Sequence, residues 1–299
     1  MQPLLGAPVK LTPSILGYSL LYPYSDNYLD DEEIPVETKL HFSGRFRRRL
    51  AGEGLRAADN RERAIWELIA LIETEYSRAR FPHVFECLLA IHRAQESSIS
   101  QLHGEHGFSH DDWLRLSVAK GGTSVLADAC LANGSLSKEE SRFAFEWGVL
   151  LQLGDDLQDL SDDMRRGSTT LFSTAAAKGV PLDGLTLQLL NFSERVGRCM
   201  ENLPHGTASL KDLLKMSWQS LIIRAVADSH EFFSSSFVRE AERRSPFRFG
   251  FLRARNERLA SRQGLYKTLF DALLDDREHE ENALPDGCFQ AFAATGGAD

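Results

Sequence analysis

Apolar residues recur every three or four positions along most of this 299-residue chain, Gly and Pro gather at segment ends, and no stretch sustains a two-residue alternation. The pattern predicts an all-α fold. A first helix is expected from Ser14 to Asp31, apolar through Ile15, Leu16, Tyr18, Leu20, Leu21 and Tyr22, with a kink at Pro23. A basic stretch, Arg45–Arg49, and a loop around Gly52 and Gly54 lead to an amphipathic helix from Asn60 to Ser77. Pro82 opens the next, with Val84, Phe85, Leu88, Leu89, Ile91 and His92 at helical spacing. Ser109 or Asp111 caps a helix through Trp113, Leu114, Leu116 and Val118 that runs past Gly121-Gly122 into Val125, Leu126 and Ala129. Asn133-Gly134 makes a turn, and Ser137 with Glu140 has the spacing of a capping box. Further helices are expected at Leu185 to Leu203 and Leu210 to Phe233.

The segment that follows Ser137 is unusual. From Phe143 to Leu160 it carries Phe143, Phe145, Trp147, Val149, Leu150, Leu151, Leu153, Leu157 and Leu160, the pattern of one buried helix. At roughly 100° per residue, however, Gly148, Gln152, Asp155, Asp156, Asp159 and Asp163 fall within an arc of about 100°. A stripe of carboxylates in a core helix is prohibitive unless cations neutralise it. The natural partner is a divalent metal. An EF-hand is excluded, because no glycine stands at the sixth position counted from Asp155 or Asp159.

A companion acidic cluster closes the first helix, with Asp26 and Asp30 one turn apart and Asn27 and Asp31 beside them. Facing each other across a bundle, the two clusters would hold Mg²⁺, a hard cation that takes oxygen ligands and substrate phosphates. The ligand expected is a diphosphate. Arg165 and Arg166, with Lys120 and Arg47 or Arg48, are candidates to stabilise that leaving group. Its departure leaves an allylic carbocation, for which Tyr22, Phe143, Phe145 or Trp147 would provide dry walls. Lys120-Gly121-Gly122-Thr123 reads equally as a kink that faces the ligand and as a packing contact with a neighbouring helix.

Composition narrows the field. With 42% hydrophobic and 26% charged residues the chain suits one large domain or two, and no repeat or linker divides it, although residues 236–299 suit a helical extension with a polar tail on a 1–235 domain. A net charge of −9 argues against nucleic acid as a partner. Cys87, Cys130, Cys199 and Cys288 form no CxxC pair, so neither a zinc knuckle nor a disulfide framework is expected, and a reducing cytoplasm is the simplest compartment. The proline-rich start does not resemble a secretory signal, and no window approaches the roughly 20 apolar residues of a membrane span. His103, His106 and His110 sit in a glycine-containing stretch that reads as a solvated loop rather than a metal site.

Asp26-Asn27-Tyr28-Leu29-Asp30-Asp31 resembles the first aspartate-rich motif of class I isoprenoid synthases, in the DxxxDD form of squalene and phytoene synthases. Asp155-Asp156-Leu157-Gln158-Asp159 is similar to the DDxxD of trans-prenyl diphosphate synthases, and Asp159 to Gly167 resembles the DxxxDxxRG of phytoene synthases. Lys120-Gly121-Gly122-Thr123-Ser124 resembles the Lys-Thr region that precedes the second motif. Bacterial class I terpene synthases are similar too. The likeness spans about residues 15 to 235, with departures: no arginine precedes Asp26, and Glu32-Glu33-Ile34-Pro35 replaces the arginine pair expected after the first motif.

The resemblance implies an isoprenoid synthase-type helical bundle with a central cavity and an Mg²⁺-dependent enzyme, with Mn²⁺ as a substitute, acting on a prenyl diphosphate. Asp26, Asp30, Asp31, Asp155, Asp156, Asp159 and Asp163 would then serve the metal, and Lys120, Thr123, Gln152, Arg165 and Arg166 the diphosphate. Joining prenyl units is the first expectation, with NADPH use left open; cyclisation or elimination of one substrate is the second and isopentenyl addition the third. Contact with a membrane surface, for an apolar product, and a homodimer are the further associations it implies. A non-catalytic helical interaction protein is the reading from another class.

Overall fold

A computed structural model describes residues 1–31, 33–102, 109–256 and 258. Among these no strand occurs, and the all-α expectation holds. After a short 3₁₀ turn, Gln2–Leu5, come α1 Pro13–Asp30, α2 Val36–Leu50, α3 Asn60–Glu75, α4 Pro82–Leu102, α5 His110–Asn133 and α6 Lys138–Gln158. Then follow α7 Leu160–Arg166, α8 Leu171–Ala177, α9 Asp183–Glu201, α10 Ala208–Asp228 and α11 Ser235–Arg244. Among the described residues no helix is long and apolar enough to cross a membrane.

Local chemistry sets many of these boundaries. The Asp59 carboxylate accepts the Glu62 amide at 2.7 Å and starts α3. Full capping boxes start α5, where Ser109 pairs with Asp112, and α6, where Ser137 pairs with Glu140. Pro23 lies inside α1. Two helices lie where none was expected. In α2, Phe42, Phe46 and Leu50 recur every fourth residue and are buried. In α8, Thr170 caps seven residues that bury Leu171, Phe172 and Ala175.

One core fills the space among α1, α2, α3, α4 and α5 around Leu21, Phe46, Ile65, Ile69, Ile72 and Leu88. On the other side of α5, helices α6, α9 and α10 enclose Phe143, Leu150, Val196, Met200, Ile222 and Val226. α5 is shared by both. Salt bridges brace the first core: Arg45 holds Glu62 through two hydrogen bonds of 2.6 and 2.8 Å, while Arg49 and Arg78 both hold Glu73. The basic stretch is thereby part of the scaffold. Arg47 pairs with Glu96 and Arg48 with Glu53, so neither is an uncommitted partner for a diphosphate.

The chain divides into two compact units at Pro246 and Phe247, later than the expected 235/236 boundary. The reason is α11, which packs on α10 within the first unit. Phe233 and Phe237 stack at 5.5 Å across its start, and Ser234 is held by Asp183 at the start of α9. In the second unit residues 249–256 are helical.

Candidate functional site

The crossing of α5 over α6 rests on glycine. A Cβ on Gly121 would lie 2.5 Å from the Gly148 carbonyl oxygen and from Cβ of Gln152, and one on Gly148 would fall on the Gly121 carbonyl. Neither helix can carry a side chain there without the backbones parting. Gly122 in turn receives the edge of the Phe145 ring. α5 runs unbroken from His110 to Asn133, so of the two readings of the glycine pair the structure selects the packing contact.

That close approach brings polar side chains of the two helices within reach of each other. The Asp156 carboxylate, 8% exposed, accepts a hydrogen bond from the Ser117 hydroxyl of α5 at 2.8 Å and one from the Gln152 amide at 2.8 Å. Burial pushes its proton affinity up; the two hydrogen bonds and the nearby Lys120 ammonium pull it back, while Asp155 pushes it further up. Thr123 is turned inward on its own helix, its hydroxyl donating to the Ala119 carbonyl at 2.6 Å.

The expected single helix from Phe143 to Leu160 is two helices. α6 ends at Gln158, Asp159 leaves helical geometry at ψ 3°, and α7 resumes at Leu160. The amides of Asp162 and Asp163 both turn back to the Asp159 carbonyl, at 2.9 and 2.8 Å, so the break tightens one turn without ending the run. α7 closes at Gly167, whose φ of 72° lets the Ser168 amide reach the Asp163 carbonyl at 2.9 Å.

The acidic stripe is therefore less buried than its apolar surroundings suggest. Asp155 and Asp159 are exposed, Asp163 is half-buried, and only Asp156 is enclosed. Even so, the carboxyls feel one another. Asp155 is raised by partial loss of solvent and then by Asp159. Asp163 is pushed up to about 6 by loss of solvent, then by Asp156 and Asp159, against the pull of a hydrogen bond from Thr170 and the charge of Arg166. Negative charge here exceeds the positive charge that compensates it. Arg165 engages Asp162 and the Ser161 carbonyl on the exposed side of α7, and Arg166 is exposed.

The first acidic cluster stands elsewhere in the fold. Asp26, near the end of α1, accepts the Gln95 amide of α4 at 2.5 Å. Asp31 ends the helix and accepts the Glu33 amide at 2.9 Å. The Asp30 side chain and all of Glu32 lie outside the described residues, as do His103 and His106. α1 packs on α3 and α5, whereas α6 packs on α5, α9 and α10. The direction of each helix can be read from its partners. Tyr22 meets the Leu88 carbonyl and Asp26 meets Gln95, so α1 runs parallel to α4. α4 and α5 form a hairpin, Cys87 against Cys130, so α1 runs antiparallel to α5, with Tyr18 bonded to the Ser124 carbonyl at 2.7 Å. The acidic end of α1 thus points toward the start of α5, the same end at which Asp156 meets Ser117.

Among the described residues no three His, Cys, Asp or Glu side chains form a group positioned to hold a metal ion. Of the expected apolar walls, Phe143 stacks on Trp147 and Trp147 meets Trp218, all inside the second core, and Tyr22 lies against Tyr18. Phe145 does border open space. With Val118, Val149, Leu153, Phe172 and Phe192 it lines a cavity of about 400 Å³ between α5, α6, α8 and α9. Sequence reading missed Ser117 and Thr170, the two hydroxyls bonded to the acid cluster, because a serine or threonine in a helical pattern carries no signal of a distant partner. Comparison with protein-family models, curated proteins and solved structures finds no match to this chain.

Proposed function

We propose that this chain is an Mg²⁺-dependent class I isoprenoid synthase that ionises an allylic prenyl diphosphate and joins prenyl units. One arrangement carries the reading: a set of carboxyls around the α6–α7 junction that raise one another's proton affinity, at the end of the bundle toward which the acidic end of α1 points. Acids in that state attract a hard cation.

The donor set suits Mg²⁺. All its donors are carboxylate oxygens, and Mg²⁺ takes one or two of these per ion and completes its shell with water and phosphate oxygens, so a preformed cage of three is not required. Asp155, Asp159 and Asp163 would hold several such ions from one side and Asp26, Asp30 and Asp31 from the other, one or two carboxylates to each ion. When bound they supply positive charge to the departing diphosphate. Asp156 has a different part, since Ser117 and Gln152 occupy it: it holds the α6 acids in register against α5. Lys120, whose charge acts on Asp156, and Arg166, whose charge acts on Asp163, would bind diphosphate oxygens. Apolar side chains such as Phe145 and Leu153 would exclude water from the cation.

The test is product analysis after incubation with C10, C15 and C20 prenyl diphosphates and Mg²⁺, with and without isopentenyl diphosphate and NADPH. Coupled prenyl products are expected, and Asp159→Ala should abolish them while the protein stays folded, because removing one carboxylate from a mutually repelling set relieves strain. A hydrocarbon from one substrate alone would replace coupling by cyclisation. Absence of diphosphate release under every condition, with no Mg²⁺-dependent binding, would defeat the enzyme reading in favour of an interaction module.

A further inference from the structure

The seam between α4 and α5 holds a pair of thiols with no part in that chemistry. Cys87 and Cys130 are separated by 43 residues, yet their sulfurs lie 3.4 Å apart. Both are free thiols. We propose that Cys87 and Cys130 form an oxidation site for a small hydroperoxide, closing to a disulfide that clamps α4 to α5.

Three features of the pair favour this outcome. The first is distance: the sulfurs need to close by only about 1.4 Å to reach a disulfide bond of about 2.05 Å, and the seam around them is already packed. The second is access. Cys87 is partly exposed and can meet a peroxide, while Cys130, 4% exposed, is screened from it. The third is the division of the proton. Either sulfur can donate to the other across 3.4 Å, and once Cys87, the more exposed of the two, is ionised, the Cys130 thiol can donate to it and lower its proton affinity while burial keeps the proton on Cys130. Cys199 offers no such environment, because loss of solvent and then Glu146 raise its proton affinity.

The chemistry balances in two steps. The Cys87 thiolate attacks one peroxide oxygen, the O–O bond breaks, and the second oxygen leaves as hydroxide, which takes up a proton to become water. Cys87 is then a sulfenic acid. The Cys130 sulfur attacks the sulfenyl sulfur, the S–O bond breaks, and the hydroxyl departs with the Cys130 proton as a second water. With hydrogen peroxide, two thiols and one peroxide give one disulfide and two waters, a two-electron oxidation. The link ties α4, which holds Asp26 through Gln95, to α5, which holds Asp156 through Ser117. The proposal does not depend on the isoprenoid reading.

The experiment treats the full-length protein with hydrogen peroxide, blocks remaining thiols under denaturing conditions, digests it and maps linked peptides by mass. A Cys87–Cys130 peptide lacking two hydrogens is expected, reversed by dithiothreitol, with free thiols falling from four to two. Cys199→Ser should give the same link, and Cys130→Ser should leave a Cys87 sulfenic acid that dimedone traps. Oxidised wild type should also unfold at a higher temperature than reduced wild type, a comparison that needs no variant. Links scattered among all the cysteines, over-oxidation of Cys87 without a link, or a link that leaves the unfolding temperature unchanged or lower would each overturn the proposal.

Discussion

The acidic ends of α1 and α6 look alike as strings of letters, and the fold gives them different neighbours. At α1, Asp26 accepts a neutral amide from α4, and one Asp31 oxygen accepts the Glu33 amide just past the helix end. At α6 and α7 the carboxyls act on each other: Asp159 raises Asp155, and Asp156 and Asp159 together raise Asp163. The difference comes from the neighbours. α6 meets α5 at a glycine crossing close enough to bury Asp156 among hydroxyl and amide donors, whereas between α1 and α5 the Tyr18 hydroxyl donates to the Ser124 carbonyl. A motif rich in aspartate therefore does not define its own charge state; the packing around it does.

The comparison is broken most severely by removing the buried anchor. Asp156→Ala strands the Ser117 hydroxyl and the Gln152 amide, and leaving such donors unpaired costs about 1–3 kcal/mol. In thermal unfolding that is a fall of roughly 2–4 °C for each kcal/mol. Asp155→Ala should produce no comparable fall, since Asp155 is exposed and repelled by Asp159. Equal losses in the two variants would mean that Asp156 is not the anchor.

A pH titration sharpens the contrast. Asp163 titrates at about 6 in the folded chain, above the value near 3.9 of an unfolded aspartate, so the folded state binds its proton more tightly. Its contribution to stability is then complete below about pH 4 and is lost as the pH rises through about 6. In metal-free protein, wild type should lose stability relative to Asp163→Asn across that interval, and saturating Mg²⁺ should remove much of the difference. A constant difference between the two across the interval, or one of opposite sign, would show that the acids at α6 and α7 do not act on each other in this way.

The smallest effect is expected at α1. Gln95→Leu removes the amide on Asp26 but leaves that carboxylate its other interactions, so stability should shift by less than about 1 kcal/mol. A shift as large as that of Asp156→Ala would erase the distinction between the two segments.

Much of this protein was legible from its residues alone. The all-α class, the starts of α1, α3, α4, α5 and α6, and the capping serines Ser109 and Ser137 follow from apolar spacing and cap chemistry, interactions within a few residues of one another along the chain. The same spacing marks Phe42, Phe46 and Leu50 of α2, a signal hidden by the arginines between them. Four matters had to wait for tertiary structure: the break at Asp159, the exposure of Asp155 and Asp159, the bond from Ser117 to Asp156, and the meeting of Cys87 with Cys130. Each depends on which helix lies against which and at what distance, and side chains dozens of residues apart carry no trace of that in their local pattern. Aspartates in the sequence mark where negative charge can gather; the contact of α5 with α6 decides which of them is buried and which stands open to solvent.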